Sequence, residues 1–121
     1  QQVYLKWISA LRSGKYRQGS GQLRETGHTF DGKKYAEFCC LGVLCDLAAK
    51  DGGRQWKTTD DGEFLSGVMF ENDGAPPQEF TEYLNLDKDM VDKLIEMNDD
   101  LGNSFEEIAD MIEFTIMPAV L

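Results

Sequence analysis

Between Lys15 and Arg24 the chain reads Lys-Tyr-Arg-Gln-Gly-Ser-Gly-Gln-Leu-Arg, which sets three cations, two glycines and small hydrogen-bond donors close together. Glycine lets a backbone run close to a ligand and turn its N–H groups towards it, which is the chemistry that holds a phosphate or a carboxylate. Arg12, Lys15, Arg17, Gln18, Gly19, Gly21 and Arg24 are therefore the candidate residues for a small anionic ligand. The G-x-x-x-x-G-K-[ST] spacing of a P-loop is absent, so the segment is not one. The competing reading of the same residues is a solvated turn between a helix and a strand, carrying ordinary surface cations.

Cysteine offers a second chemistry. Cys39 and Cys40 follow an expected strand and start an expected helix, where a helix dipole lowers a thiol pKa, and His28 lies in the same region. A Cys–His dyad of a hydrolase or transferase can be drawn from these residues, but no third orienting group follows a catalytic spacing. Burial as small apolar side chains is the simpler role. No metal is expected: His28, Cys39, Cys40 and Cys45 lack the paired C-x₂-C spacing of structural zinc. The carboxylates Asp87, Asp89, Asp92, Glu96, Asp99 and Asp100 lack the central Gly and terminal Glu of a calcium loop. No cofactor is expected either. Met97-Asn98-Asp99 reads first as a helix end whose side chains satisfy the last carbonyls. A ligand-binding role for Asn98 and Asp99 requires that the pair face the Arg17–Gln18 loop.

Charge narrows the partners. Twelve Lys and Arg against 22 Asp and Glu give a net charge of −10, which argues against a general grip on nucleic acid or on an anionic membrane. The first 48 residues nevertheless carry seven basic and four acidic side chains, a net of +3, and the remainder 5 − 18 = −13. An anion site in the first third is compatible with an acidic protein. At 121 residues, with seven Phe, four Tyr and two Trp, the chain is expected to be one folded domain, residues 1–121, rather than a multidomain enzyme or a disordered segment. No apolar run approaches the roughly 18 residues of a membrane helix. An odd cysteine count at close spacing and the lack of a charged-then-apolar opening predict reduced thiols in a cytoplasmic protein without a signal peptide.

The elements that must position these residues follow from periodicity and punctuation. Apolar residues at 3, 4, 5, 7, 8 and 11 predict an amphipathic first helix that stops at Ser13-Gly14. Asp31-Gly32 predicts a hairpin joining Gly27–Phe30 to Lys34–Phe38. The run Cys39–Ala49 is apolar nearly all round, as a buried central helix is, and its internal Gly42 predicts close approach of another backbone. Gln55–Thr59 and Phe64–Phe70 predict a second hairpin around Asp60-Asp61-Gly62. Pro77 is placed to open a short helix through Leu84 after the Asn72-Asp73-Gly74 loop, and Asp87 to cap a helix that ends near Asn98-Asp99. Ser104-Phe105-Glu106-Glu107 is a capping box before a last helix with Phe105, Ile108, Ala109 and Ile112 on one face. The expected fold is α+β, a single domain of about four or five helices with a small antiparallel sheet of hairpins.

Taken together, the Ala10–Arg24 segment, Phe38-Cys39-Cys40-Leu41-Gly42-Val43-Leu44-Cys45-Asp46-Leu47, Met97-Asn98-Asp99 and Ser104–Ile112 resemble a family of small phage-encoded proteins of unknown function. The chain is more distantly similar to bacterial domains of unknown function that share a Gln-Gly, a Cys-x-Leu-Gly helix start and an Asn-Asp before a capped final helix. The resemblance implies a phage or prophage product acting in a bacterial cytoplasm and supplies no activity. Its pattern falls on Gln18, Gly19, Cys40, Leu41, Gly42, Asn98 and Asp99. A longer Gly27–Lys34 hairpin and an apolar Thr115–Leu121 tail depart from it; the tail packs either on the core or on a second copy as a homodimer. Three functions are weighed: a non-enzymatic binding module for a small anionic, nucleotide-like ligand in host takeover or counter-defence; an acidic protein that binds a host protein through residues 79–113; and a cysteine-dependent enzyme.

Overall fold

The computed structural model describes residues 2–52, 56–59, 62–65, 81–82 and 84–120, with residues 57–59 and 62–65 described by their backbone. Helix α1 (Gln2–Arg12) buries Tyr4, Trp7, Ile8 and Leu11, one stripe at helical spacing. It stops where the sequence predicts, at Ser13, whose hydroxyl donates to the Ala10 carbonyl at 2.7 Å, and at Gly14, whose φ of +76° leaves the helix. Two-residue strand β1 (Arg17–Gln18) follows, then strands β2 (Arg24–His28) and β3 (Lys34–Phe38). β2 and β3 form the expected hairpin, with its first strand at Arg24–His28 rather than Gly27–Phe30, closed over Thr29–Lys33 with Gly32 at a φ of +86°. β1 adds to the far side of β3 in parallel, so the sheet order is β1-β3-β2 and the sheet is mixed.

Helix α2 (Cys40–Asp51) crosses the centre of the domain with Cys40, Leu41, Gly42, Val43, Leu44, Cys45, Asp46 and Ala49 all buried. The close backbone approach expected at Gly42 is that of Leu23: a Cβ built on Gly42 falls 1.7 Å from the Leu23 carbonyl oxygen. The helix is tied to its neighbours by main-chain polar groups as well as by packing. The Trp7 indole donates to the Cys40 carbonyl at 2.9 Å, joining α1 to α2; the Tyr4 hydroxyl separately joins α1 to the segment before Asp87 by donating to the Leu84 carbonyl at 2.7 Å. A separate two-stranded ribbon, β4 (Trp56–Thr59) with β5 (Gly62–Leu65), is the second expected hairpin; its second strand begins at Gly62 rather than Phe64. The 66–70 part of that strand, the Asn72-Asp73-Gly74 loop and most of the Pro77–Leu84 helix lie outside the described residues.

Helix α3 (Lys88–Ile95) is capped by Asp87, whose carboxylate accepts the Met90 N–H at 2.8 Å. Its helical continuation ends near Asn98-Asp99, as expected. The chain continues through a wide turn, Glu96–Asp100, in which the Leu101 N–H donates to Glu96 at 2.9 Å. Gly102, at a φ of +68°, then brings the Asn103 N–H onto the Met97 carbonyl. The terminating signal is thus the glycine, and Asn98 is freed to point inward. Helix α4 (Phe105–Met111) begins with the expected capping box of Ser104 and Glu107 and runs through a second wide turn, Ile112–Ile116, into the short α5 (Met117–Val120). Ile116 is buried, and Met117 and Val120 pack against the same core, so this tail packs on its own chain. Among the described residues, four main helices and a small mixed sheet make an α+β domain.

Candidate functional site

The sheet separates two clefts because successive strand residues face opposite ways. Arg24 and Thr26 pair with Phe38 and Ala36 on one face; Glu25 and Gly27 pair with Glu37 and Tyr35 on the other. The cations that are neighbours in the sequence are parted accordingly. Arg12 leaves the loop altogether and binds Asp110 Oδ1 at 2.6 Å and Glu113 Oε1 at 2.9 Å, joining α1 to α4 and the wide turn after it. Those two carboxylates raise its pKa. Arg17 stacks on Tyr35 at 4.3 Å, and the Tyr35 ring in turn lies over Gly27. The Gly19 N–H goes to the Phe38 carbonyl at 2.8 Å, so it serves the sheet and not a ligand, and Gly21 takes a φ of +83° in the turn. Of the candidate cations, Lys15 and Arg24 line a common cavity.

That cavity is a groove of about 850 Å³ between α1, α2, the Arg24–Phe38 face and Trp56. Its wall is aromatic: Phe38 meets Tyr16 edge-on at 5.1 Å and Trp56 at 6.3 Å. Arg24 places its guanidinium 5.8 Å from the Phe38 ring and 5.6 Å from the Trp56 ring, and the Lys50 ammonium lies 5.7 Å from the Tyr16 ring. Among the described residues, the groove is lined by four cations, Lys6, Lys15, Arg24 and Lys50, and one carboxylate, Asp46, with Asp51 3.8 Å from Lys6 beside it. Such a concave, mostly apolar cleft with a few convergent charged groups is the usual form of a small-molecule site.

Asp46 organises this wall. It is buried and accepts from the Tyr16 hydroxyl at 2.5 Å, the Trp56 indole at 3.0 Å and Lys50 at 3.0 Å. Burial, and then the bond to Asp46, pushes the Tyr16 pKa up to about 12, while Asp46 raises that of Lys50. Sequence reasoning missed Asp46, Lys50, Lys6, Tyr16 and Trp56. A signal for the first two was present: one carboxylate inside an otherwise apolar helix, with a lysine one turn later.

At the β1 edge of the sheet, Gln18 and Asn98 form a clamp. Gln18 Nε2 donates to Asn98 Oδ1 and to the Asn103 carbonyl, each at 2.9 Å. Asn98 Oδ1 also accepts the Cys40 N–H at 3.2 Å, and its Nδ2 donates at 2.8 Å both to the Gly19 carbonyl and to Asp99. Asn98 does face Gln18 and Gly19, and it holds β1 and the start of α2 to the turn after α3, while the hydrogen bond shown for Asp99 is the one from Asn98. The adjoining cleft, about 470 Å³, is lined by Glu25 and Glu37 besides these amides, and two carboxylates do not suit an anion.

The cysteines are not brought to His28. His28 pairs with Lys34 at the far end of the hairpin, five residues before Cys39, or about 17 Å along an extended strand. Cys39 instead caps α2, its sulfur accepting the Gly42 N–H at 3.4 Å, and Cys40 Sγ lies 3.6 Å from the Leu94 carbonyl. Burial pushes the Cys39 thiol up to about 11 and raises Cys40 and Cys45 as well, the reverse of activation.

Comparison with known proteins places the chain in one family: residues 1–116 match the model described as a domain of unknown function (DUF8296), and the chain belongs to that family. No curated protein and no solved structure matches it.

Proposed function

We propose that the protein is a non-enzymatic binding module for a small anionic, nucleotide-like ligand held in the groove between α1, α2 and the sheet. The observation that carries this reading is the convergence of Lys6, Lys15, Arg24 and Lys50 on an aromatic wall of Tyr16, Phe38 and Trp56. Cations neutralise a phosphate, and aromatic faces and a stacked guanidinium hold a planar ring. The buried thiols with raised pKa values support binding over catalysis. The resemblance to phage proteins supports a phage or prophage accessory role, in which such a module removes a ligand from a bacterial cytoplasm during host takeover or counter-defence.

Thermal unfolding with a panel of nucleotides tests the proposal. A ligand at a hundredfold excess over its Kd stabilises the folded state by about 2.7 kcal/mol, a shift of several degrees for a chain of this size. Failure of every nucleotide and of inorganic phosphate to raise Tm would sink it. A second reading, an acidic surface that docks on a host protein, draws on the exposed Leu101 and Phe114, which follow Asp99-Asp100 and Glu113 in the chain. Pull-down from host lysate at low and high salt separates the two, since contacts between exposed charges weaken with salt.

A further inference from the structure

We propose that Asp46 sets the specificity of the groove: among anionic molecules with a planar ring, it favours those that carry an N–H donor on the ring edge. This rests on the groove being a ligand site. Asp46 is 7% exposed yet lines the cavity, and a carboxylate withdrawn from water must be supplied with donors. Its Oδ2 receives two, from Tyr16 and Lys50, whereas Oδ1 receives one, the Trp56 indole N–H at 3.0 Å. An ionised carboxylate oxygen accepts at about two sites, so the open acceptor position is on Oδ1, beside the indole. A ring lying against Trp56 brings its edge to that oxygen. The same carboxylate repels a phosphate placed next to it, which assigns the anionic end of the ligand to the exposed Lys6 and Lys15 and the ring to the Asp46 end.

Matched ligand pairs test this on the unaltered protein. Isothermal titration compares adenosine monophosphate with purine riboside 5′-monophosphate, which lacks only the exocyclic amine. Cytidine monophosphate is compared in the same way with pyrimidin-2-one riboside 5′-monophosphate, with inorganic phosphate alongside. A hydrogen bond to a charged acceptor predicts about tenfold to a hundredfold tighter binding of at least one aminated member over its partner, with inorganic phosphate weakest. Equal affinities within both pairs would overturn the role of Asp46 and leave the groove reading standing. Absence of binding by all five would overturn both. In Asp46→Asn the ratio falls towards one; a full ratio retained in folded Asp46→Asn protein assigns the preference to another residue and also overturns the proposal.

Discussion

Replacing Gly42 by alanine puts the central packing to a direct test. The added Cβ lies 1.7 Å from the Leu23 carbonyl oxygen, 2.6 Å from its carbon and 3.1 Å from its Cα, where ordinary contacts begin at 3.4 Å. The two backbones must separate by 3.4 − 1.7 = 1.7 Å or distort. Neither is placed to yield: Leu23 is fully buried, and the N-terminus of α2 is pinned by Trp7 and Asn98 through Cys40. Overpacking of a well-packed interior costs about 1–3 kcal/mol and occasionally more, against about 1 kcal/mol gained from the better helix propensity of alanine. Because backbone rather than a side-chain tip must move, the cost falls at or beyond the upper end, a net loss of about 2 kcal/mol or more. Urea unfolding followed by tryptophan fluorescence measures it. Gly52→Ala is the control, since among the described residues its Cβ meets the Ala48 carbonyl alone, at an ordinary 3.4 Å, and it should stay within about 0.5 kcal/mol of the parent. A Gly42→Ala protein as stable as the parent, or more stable, would refute the packing argument.

Three further outcomes follow from the same geometry. Asn98→Ala strands the Cys40 N–H and the Gly19 carbonyl, and with two groups losing partners the expected loss is about 3 kcal/mol in urea unfolding; a loss under about 1 kcal/mol would contradict the clamp. Burial raises the Tyr4 pKa to about 12, as it does with Asp46 for Tyr16, from the ordinary 10.0. The folded state therefore holds these protons more tightly, and the stability they contribute is intact below pH 10 and lost as pH rises from 10 through 12. Absorbance at 295 nm with circular dichroism should show Tyr4 and Tyr16 ionising late, together with unfolding; their ionisation near pH 10 with the fold intact would contradict this. Iodoacetamide at neutral pH should leave all three thiols unlabelled in the folded protein and label them in urea, whereas rapid reaction of one folded-state thiol would contradict the burial of Cys39, Cys40 and Cys45.

What the sequence conveys well is local. The stripe of Tyr4, Trp7, Ile8 and Leu11, the Ser104–Glu107 box and the tight contact at Gly42 each depend on neighbours within one element or on a missing side chain. The groove is not local. Asp46 meets Tyr16 across 30 positions, and Arg12 meets Asp110 across 98, so no spacing rule could show that Arg12 leaves the cationic loop while Lys50 joins the site. Strand alternation and the turn at Gly21 send Arg17 and Arg24 to opposite faces of the sheet. β1 escapes notice for a related reason: two residues that pair in parallel, with no hairpin turn, leave no periodic signal. The end of the α3 segment near Asn98-Asp99 is legible, while the wide turn that forms it is closed by the left-handed backbone of Gly102.

The central claim is that the groove holds a small anion, and native mass spectrometry of protein purified from bacterial cytosol tests it most directly. The account predicts an added mass that is lost on denaturation and is absent from a Lys15→Ala, Arg24→Ala variant of unchanged fold, while Arg12→Ala, away from the groove, retains it. An adduct that persists in the double variant, or a bare chain that takes up no nucleotide when titrated in the same instrument, would contradict it.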